Sequence, residues 1–121
     1  MILIALPQIR PGDRQVLTHV QAMVRQFPGC VFTGAAPRYD GSDQVYFNIC
    51  AQLALKACAP MVAIGDVMMH RAGRRQLADV LTCMREHITI DEIGTRALPN
   101  GERRLKSAQD MARLFRNHPA A

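Results

Sequence analysis

Short apolar runs alternate with longer amphipathic segments along this chain. The pattern predicts an α/β fold, a mostly parallel four- to five-stranded sheet flanked by helices on both faces. The apolar runs span residues 2–6, 30–33, 61–64 and 88–93. The run 61–64 is apolar at every position, which is typical of a central parallel strand. The last run alternates apolar and polar residues and is therefore predicted to be a strand near the sheet edge.

Apolar residues at helical spacing predict four helices between and after these runs. Turn-forming residues precede the first two, where Asp13 and either Ser42 or Asp43 are the predicted N-caps. The last helix is predicted to begin at about Gly101 or Ser107 and to end near Asn117. No linker or repeat interrupts the pattern, so residues 1–121 are predicted to form a single α/β domain. The inward positions of the helices include Val16, Val20, Met23, Val24, Phe27, Val45, Ile49, Leu53, Leu77, Val80, Leu81 and Met84.

Composition narrows the class of protein. Hydrophobic residues make up 49% of the chain and charged residues 21%, as in an ordinary globular protein, and the net charge of +5 favours acidic partners. No apolar stretch approaches the roughly 20 residues that span a bilayer, so no membrane partner is expected and a cytoplasmic location is predicted. The four cysteines and four histidines are scattered without ligand spacing, so neither a metal nor another cofactor is predicted.

Arginines follow the apolar runs at regular places. Arg10, Arg38 and Arg71 come shortly after the first three, where the carboxyl ends of parallel strands form the usual ligand edge of an α/β sheet. Arg74 and Arg75 follow in the segment that opens the third helix, whose free N–H groups favour anions. The sequence therefore predicts an anion- or DNA-binding edge built from these five arginines. The alternative for the third-helix arginines is pairing with Asp66 or Asp79.

The order strand, Arg71-Ala72-Gly73-Arg74, then helix, resembles the catalytic domain of the serine recombinases, the resolvases and invertases. The similarity in element order extends from residue 1 to about residue 94 and implies a resolvase-like fold, a DNA partner and a homodimer. The resemblance places Gln8-Ile9-Arg10 where the family has its arginine-x-serine motif. Because Arg10 stands where the attacking serine would be, no covalent phosphoserine intermediate is expected.

These observations lead to three expectations about function. The first is a non-catalytic, degenerate serine-recombinase-like domain that binds an anionic partner, either DNA or a DNA-bound protein. The second is a small enzyme that acts on a nucleotide or sugar phosphate at the carboxyl edge of the sheet, although the chain has no glycine-rich phosphate loop. The third is a protein–protein interaction module. No catalytic residue is assigned, and the balance favours a protein without enzymatic activity.

Overall fold

Three short parallel strands form the sheet within residues 1–7 and 14–121, the part of the chain that the computed structural model describes. The strands are β1 (Leu3–Ala5), β2 (Val31–Ala35) and β3 (Met61–Ala63), in the spatial order β1-β2-β3. The α/β class predicted from the sequence is confirmed, with fewer strands than expected. The α-helices are α1 (Arg14–Gln26), α2 (Asp43–Ala57), α3 (Arg75–Glu86) and α4 (Ala108–Leu114), and single 3-10 turns cover Ala72–Arg74, Ile90–Glu92 and Gly94–Arg96.

The described chain divides into two units, which we call the sheet unit (Met1–Ile64 with Gln109–Ala121) and the helical unit (Gly65–Ala108). In the sheet unit, α1 and α2 enclose one apolar cluster, and α2 and the α4 region enclose a second. Side chains alternate between the two faces of a sheet, and every strand residue in these two clusters lies on the same face. The helices of this unit therefore pack on a single face of the sheet. The strand residues concerned are Leu3, Ala5, Val31, Ala35, Met61 and Ala63.

Three features of the predicted sheet are wrong. The sequence predicts helices on both faces, whereas the helices of the sheet unit pack on one. The central strand of the described sheet is β2, with Thr33 and Ala35 fully buried, and β3 lies at the edge. The run 88–93 forms a 3-10 turn and no strand. Its polar residues explain the difference, because the Thr89 N–H donates to the Glu92 carboxylate at 2.9 Å and the Glu92 N–H donates to the Thr89 carbonyl at 3.1 Å. These local bonds close a turn in place of a strand ladder.

Helix boundaries agree more closely with the sequence. The N-cap of α2 is Ser42, one of the two predicted caps, although its hydroxyl donates to Asp40 Oδ1 at 2.6 Å and makes no capping bond to the helix. Helix α4 begins directly after Ser107 and ends at Leu114, earlier than expected. The predicted cap Asp13 lies outside the described residues, and a single domain spanning the chain stays a prediction.

The end of α2 provides a test of local backbone energetics. Cys58 closes the helix in the left-handed region, with φ of 54°, and its N–H bonds to the Ala54 and Leu55 carbonyls. A side chain is unfavourable in this conformation, whereas glycine adopts it freely. We expect Cys58→Gly to raise the free energy of unfolding, measured by urea denaturation, by about 0.5–1 kcal/mol. This value is the relief of backbone strain minus the stability lost because glycine makes the unfolded chain more flexible. Cys58→Ala, which keeps a Cβ, is the control, and equal effects of the two substitutions would contradict this explanation.

Candidate nucleic-acid interface

Two exposed arginines lie at the entrance to α3 in the helical unit. Arg71 has an extended backbone and its carbonyl accepts the N–H of Arg74 at 3.0 Å, which closes the 3-10 turn Ala72–Arg74. Gly101 lies against this turn, so closely that a Cβ on it would be 3.1 Å from the Ala72 Cβ. Among the described residues, neither guanidinium has an ion pair or a hydrogen bond. The turn therefore presents two uncompensated positive charges beside a helix N-terminus, which is an anion-attracting arrangement.

Arg75 is engaged differently from its two neighbours. Its Nε lies 3.7 Å from the Asp79 carboxylate one turn along α3, and this nitrogen is buried without a hydrogen-bond partner. Asp79 is itself buried and accepts the N–H of Leu98 at 3.0 Å. The pairing with Asp79 that the sequence left open is thus present for Arg75, and it reduces the positive charge that this residue offers to a ligand.

Three of the basic residues in the segment after Gly101 also lie beside carboxylates. Arg103 pairs with Asp66 at 2.9 Å and donates to the Asp66 carbonyl at 3.1 Å. Glu102 lies 4.0 Å from Arg104 and 3.6 Å from the ammonium of Lys106, whose side chain is buried. Glu102 is the local signal of these contacts, because it is an acidic residue two positions before Arg104 and four before Lys106.

Arg38 lies in the sheet unit, after β2, and stacks on an aromatic ring. Its guanidinium carbon is 4.4 Å from the centroid of the Tyr46 ring, and its backbone N–H donates to Asp43 at 2.8 Å. The Tyr46 hydroxyl donates to the Pro7 carbonyl at 3.4 Å, and burial raises the pKa of Tyr46 to about 12. The neutral tyrosine therefore holds the exposed cation in place by a cation–π contact. No periodic pattern in the sequence indicates this contact, because Arg38 lies in a loop outside the helix that carries Tyr46.

The five predicted arginines thus fall into separate groups. Arg71, Arg74 and Arg75 are neighbours at one turn, Arg38 belongs to the other unit, and Arg10 lies outside the described residues. Their convergence on one edge stays a prediction.

In residues 1–7 and 14–121, no group of three or more histidine, cysteine, aspartate or glutamate side chains is placed to hold a metal ion. None of the described helices is long and apolar enough to cross a bilayer.

Comparison with known proteins gives a consistent set of relatives. No protein-family model matches this chain. The chain is 72% identical over all 121 residues to an error-prone DNA polymerase of Ruegeria pomeroyi, of which it covers 11%. It is 36% identical over 121 residues to an error-prone DNA polymerase of Rhodopseudomonas palustris, of which it covers 10%. It is 42% identical over 91 residues, 75% of this chain, to error-prone DNA polymerase 1 of Rhizobium meliloti, of which it covers 8%.

These relatives overturn the serine-recombinase interpretation. Identity of 72% along the whole chain outweighs a short pattern of two arginines around a glycine, so the resolvase-like family and the degenerate-recombinase function are wrong. The physical reason for the error is that any α/β protein with cations at the entrance to a helix can reproduce the pattern Arg71-Ala72-Gly73-Arg74. The chain spans about a tenth of the length of the relatives it matches.

Proposed function

We propose that this chain is an α/β segment of an error-prone DNA polymerase and that it contributes nucleic-acid contacts. The observation that carries the proposal is the 72% identity to the Ruegeria pomeroyi polymerase across every residue of the chain. A segment of about a tenth of such a protein is too small to hold the whole activity, so its role is to support a reaction carried out by the larger polypeptide. The homodimer implied by the recombinase resemblance is not part of the proposal.

Within this segment, we propose Arg71 and Arg74 as the residues that contact DNA phosphates. Their support is local, because both are exposed, both stand at the entrance to α3, and neighbouring cations such as Arg75 and Arg103 are already paired with carboxylates. Arginine is suited to phosphate because its planar donors bind two oxygens at once. Arg38, stacked on Tyr46, is a further candidate for the same chemistry, and Arg10 and Arg75 complete the predicted set.

A chimeric polymerase tests the proposed role of the segment. In the chimera, this chain replaces the matched 121 residues of the Ruegeria pomeroyi protein, and primer extension is measured on a DNA template. We expect extension comparable to that of the parent polymerase. A chimera that folds but extends no primer would overturn the assignment.

The phosphate contacts are tested by a double substitution, Arg71→Ala with Arg74→Ala. We expect the chain to bind duplex DNA more weakly. We also expect the slope of log affinity against log salt concentration to become shallower by about two units, because each phosphate contact contributes about 0.9 to that slope. Fluorescence anisotropy over a salt series measures both quantities. The fold should be unchanged because both side chains are exposed.

Arg85→Ala provides the matched control for that experiment. Arg85 is another exposed cation of the same unit, near the end of α3, and its guanidinium already pairs with Glu86 at 3.1 Å. Its removal should leave the salt dependence nearly unchanged. A double variant with the affinity and salt slope of the unaltered chain would show that Arg71 and Arg74 do not contact DNA.

A further inference from the structure

One face of the sheet carries only apolar side chains and a glycine, and it lies opposite the face on which α1, α2 and the α4 region pack. The register pairs Ile4 with Phe32 and Gly34 with Val62, and none of these residues belongs to either apolar cluster of the sheet unit. Side chains alternate along a strand, so these residues share the side that the clusters do not use. We call this surface, formed by Ile4, Leu6, Phe32, Val62 and Ile64, the open face.

Gly34 places three of these side chains together. A Cβ on Gly34 would be 2.6 Å from Leu6 Cδ2, 2.8 Å from Ile4 Cγ2 and 3.2 Å from Ile64 Cδ1. The three aliphatic chains therefore converge over the centre of β2, where the glycine leaves room for them. Their outer surfaces remain in water, since Ile4 is 44% and Leu6 57% exposed.

An apolar face that is exposed at Ile4 and Leu6, and only half-buried at Phe32, Val62 and Ile64, leaves a parallel sheet incomplete as a structural unit. Parallel sheets occur almost only with both faces covered, because the crossover connections between their strands place helices on the faces. Contiguous exposed apolar surface of this kind marks a contact with another protein layer. Crossover connections belong to the same polypeptide as the strands. We therefore expect the open face to be covered by another part of the same polypeptide.

We propose that the open face is the surface on which the rest of an error-prone DNA polymerase polypeptide docks, through an apolar layer of helix or strand. The inference rests on the proposed function, since the Ruegeria pomeroyi relative matches this chain over only 11% of its length and most of its polypeptide lies outside the match. The docked layer buries Ile4 and Leu6 and fixes the segment that carries Arg38 relative to the rest of the polymerase.

Leu6→Asp tests the docking in two contexts, the 121-residue chain and the chimeric polymerase described above. An exposed position tolerates a carboxylate, whereas a buried interface does not. We expect the substitution to lower the melting temperature of the chimera by several degrees and that of the chain alone by much less. Val45→Asp is the matched control, because Val45 is an aliphatic residue of α2 that is 63% exposed, and it should have a small effect in both contexts.

Oxidative footprinting provides a measurement that needs no substitution. Hydroxyl radicals should modify Leu6 severalfold more slowly in the chimera than in the chain alone, while Val45 reacts equally in both. Equal modification of Leu6 in the two contexts, or equal melting shifts for Leu6→Asp, would overturn the docking surface. A concentration-dependent dimer of the chain that Leu6→Asp dissociates would also overturn it, by identifying a second copy as the occupant.

Different experimental outcomes contradict the docking surface and the proposed function. A chimera that extends primers but leaves Leu6 open to radicals retains the polymerase role and loses the docking surface. A folded chimera that protects Leu6 but extends no primer retains the docking surface and loses the polymerase role.

Discussion

Phe47→Ala is expected to lower the free energy of unfolding by about 3–5 kcal/mol, a large part of the stability of a domain of this size. Phe47 is only 1% exposed, and its ring stacks on that of Phe115 with centroids 4.4 Å apart. It also contacts the Tyr46 ring at 6.0 Å and the His118 ring at 6.3 Å. Alanine would remove the ring that joins α2 to the segment after α4 and would leave a cavity that the neighbouring helices cannot fill.

Urea denaturation measures this loss, and hydrogen exchange locates it. Amides of residues 109–121 should exchange faster in the variant, because their anchor on α2 is gone. Phe47→Leu keeps most of the apolar volume and should cost less than about 1.5 kcal/mol. Val45→Ala alters an exposed residue of the same helix and should change stability by less than about 0.5 kcal/mol. A loss from Phe47→Ala no larger than that from Phe47→Leu would show that Phe47 does not anchor this core.

The sequence could predict the helices because their signals are local. The apolar spacing along α1, α2 and α3, and the turn former Ser42, depend on residues within one or two helical turns of one another. The spacing located these helices, but the predicted inward positions are wrong for five residues that the structure exposes, Val45, Leu77, Val80, Leu81 and Met84. The number and order of strands depend on which segments pair, and apolar content alone does not specify this. The run 88–93 had the composition of an edge strand, but Thr89 and Glu92 satisfy each other's backbone groups within three residues and form a turn.

The difference between local signals and contacts of distant residues also explains what the sequence could predict about the candidate interface. The sequence located the cationic turn of Arg71 and Arg74, because an apolar run followed by arginines and a helix is a local pattern. It could not show which cations are already paired, since the contact of Arg103 with Asp66 joins residues 37 positions apart. Nor could it show that one sheet face is exposed at Ile4 and Leu6, because the run 61–64 is apolar on both sides whether or not another layer covers that face.

The second large effect is expected for Asp79→Ala, which should destabilise the helical unit by about 2–3 kcal/mol. Asp79 is 8% exposed, and its carboxylate accepts the Leu98 N–H at 3.0 Å while Arg75 Nε lies 3.7 Å away. Removing the carboxylate leaves the amide of Leu98 without this acceptor and the partly buried guanidinium of Arg75 without its counter-charge. The loss at Leu98 is the costlier of the two, because it removes one partner of a partly buried hydrogen bond, whereas the Arg75 side chain is 43% exposed to water.

Asp79→Asn separates these two contributions. Asparagine keeps an oxygen that can accept the Leu98 N–H but carries no charge, so it should cost less than half as much as alanine if the hydrogen bond is the larger part. Urea denaturation gives the total loss, and exchange of the Leu98 amide reports the hydrogen bond alone. We expect fast exchange in Asp79→Ala and protected exchange in Asp79→Asn. If the two variants instead lose equal stability while the Leu98 amide stays protected in the asparagine variant, the charge of Asp79 beside Arg75 is what holds the start of α3.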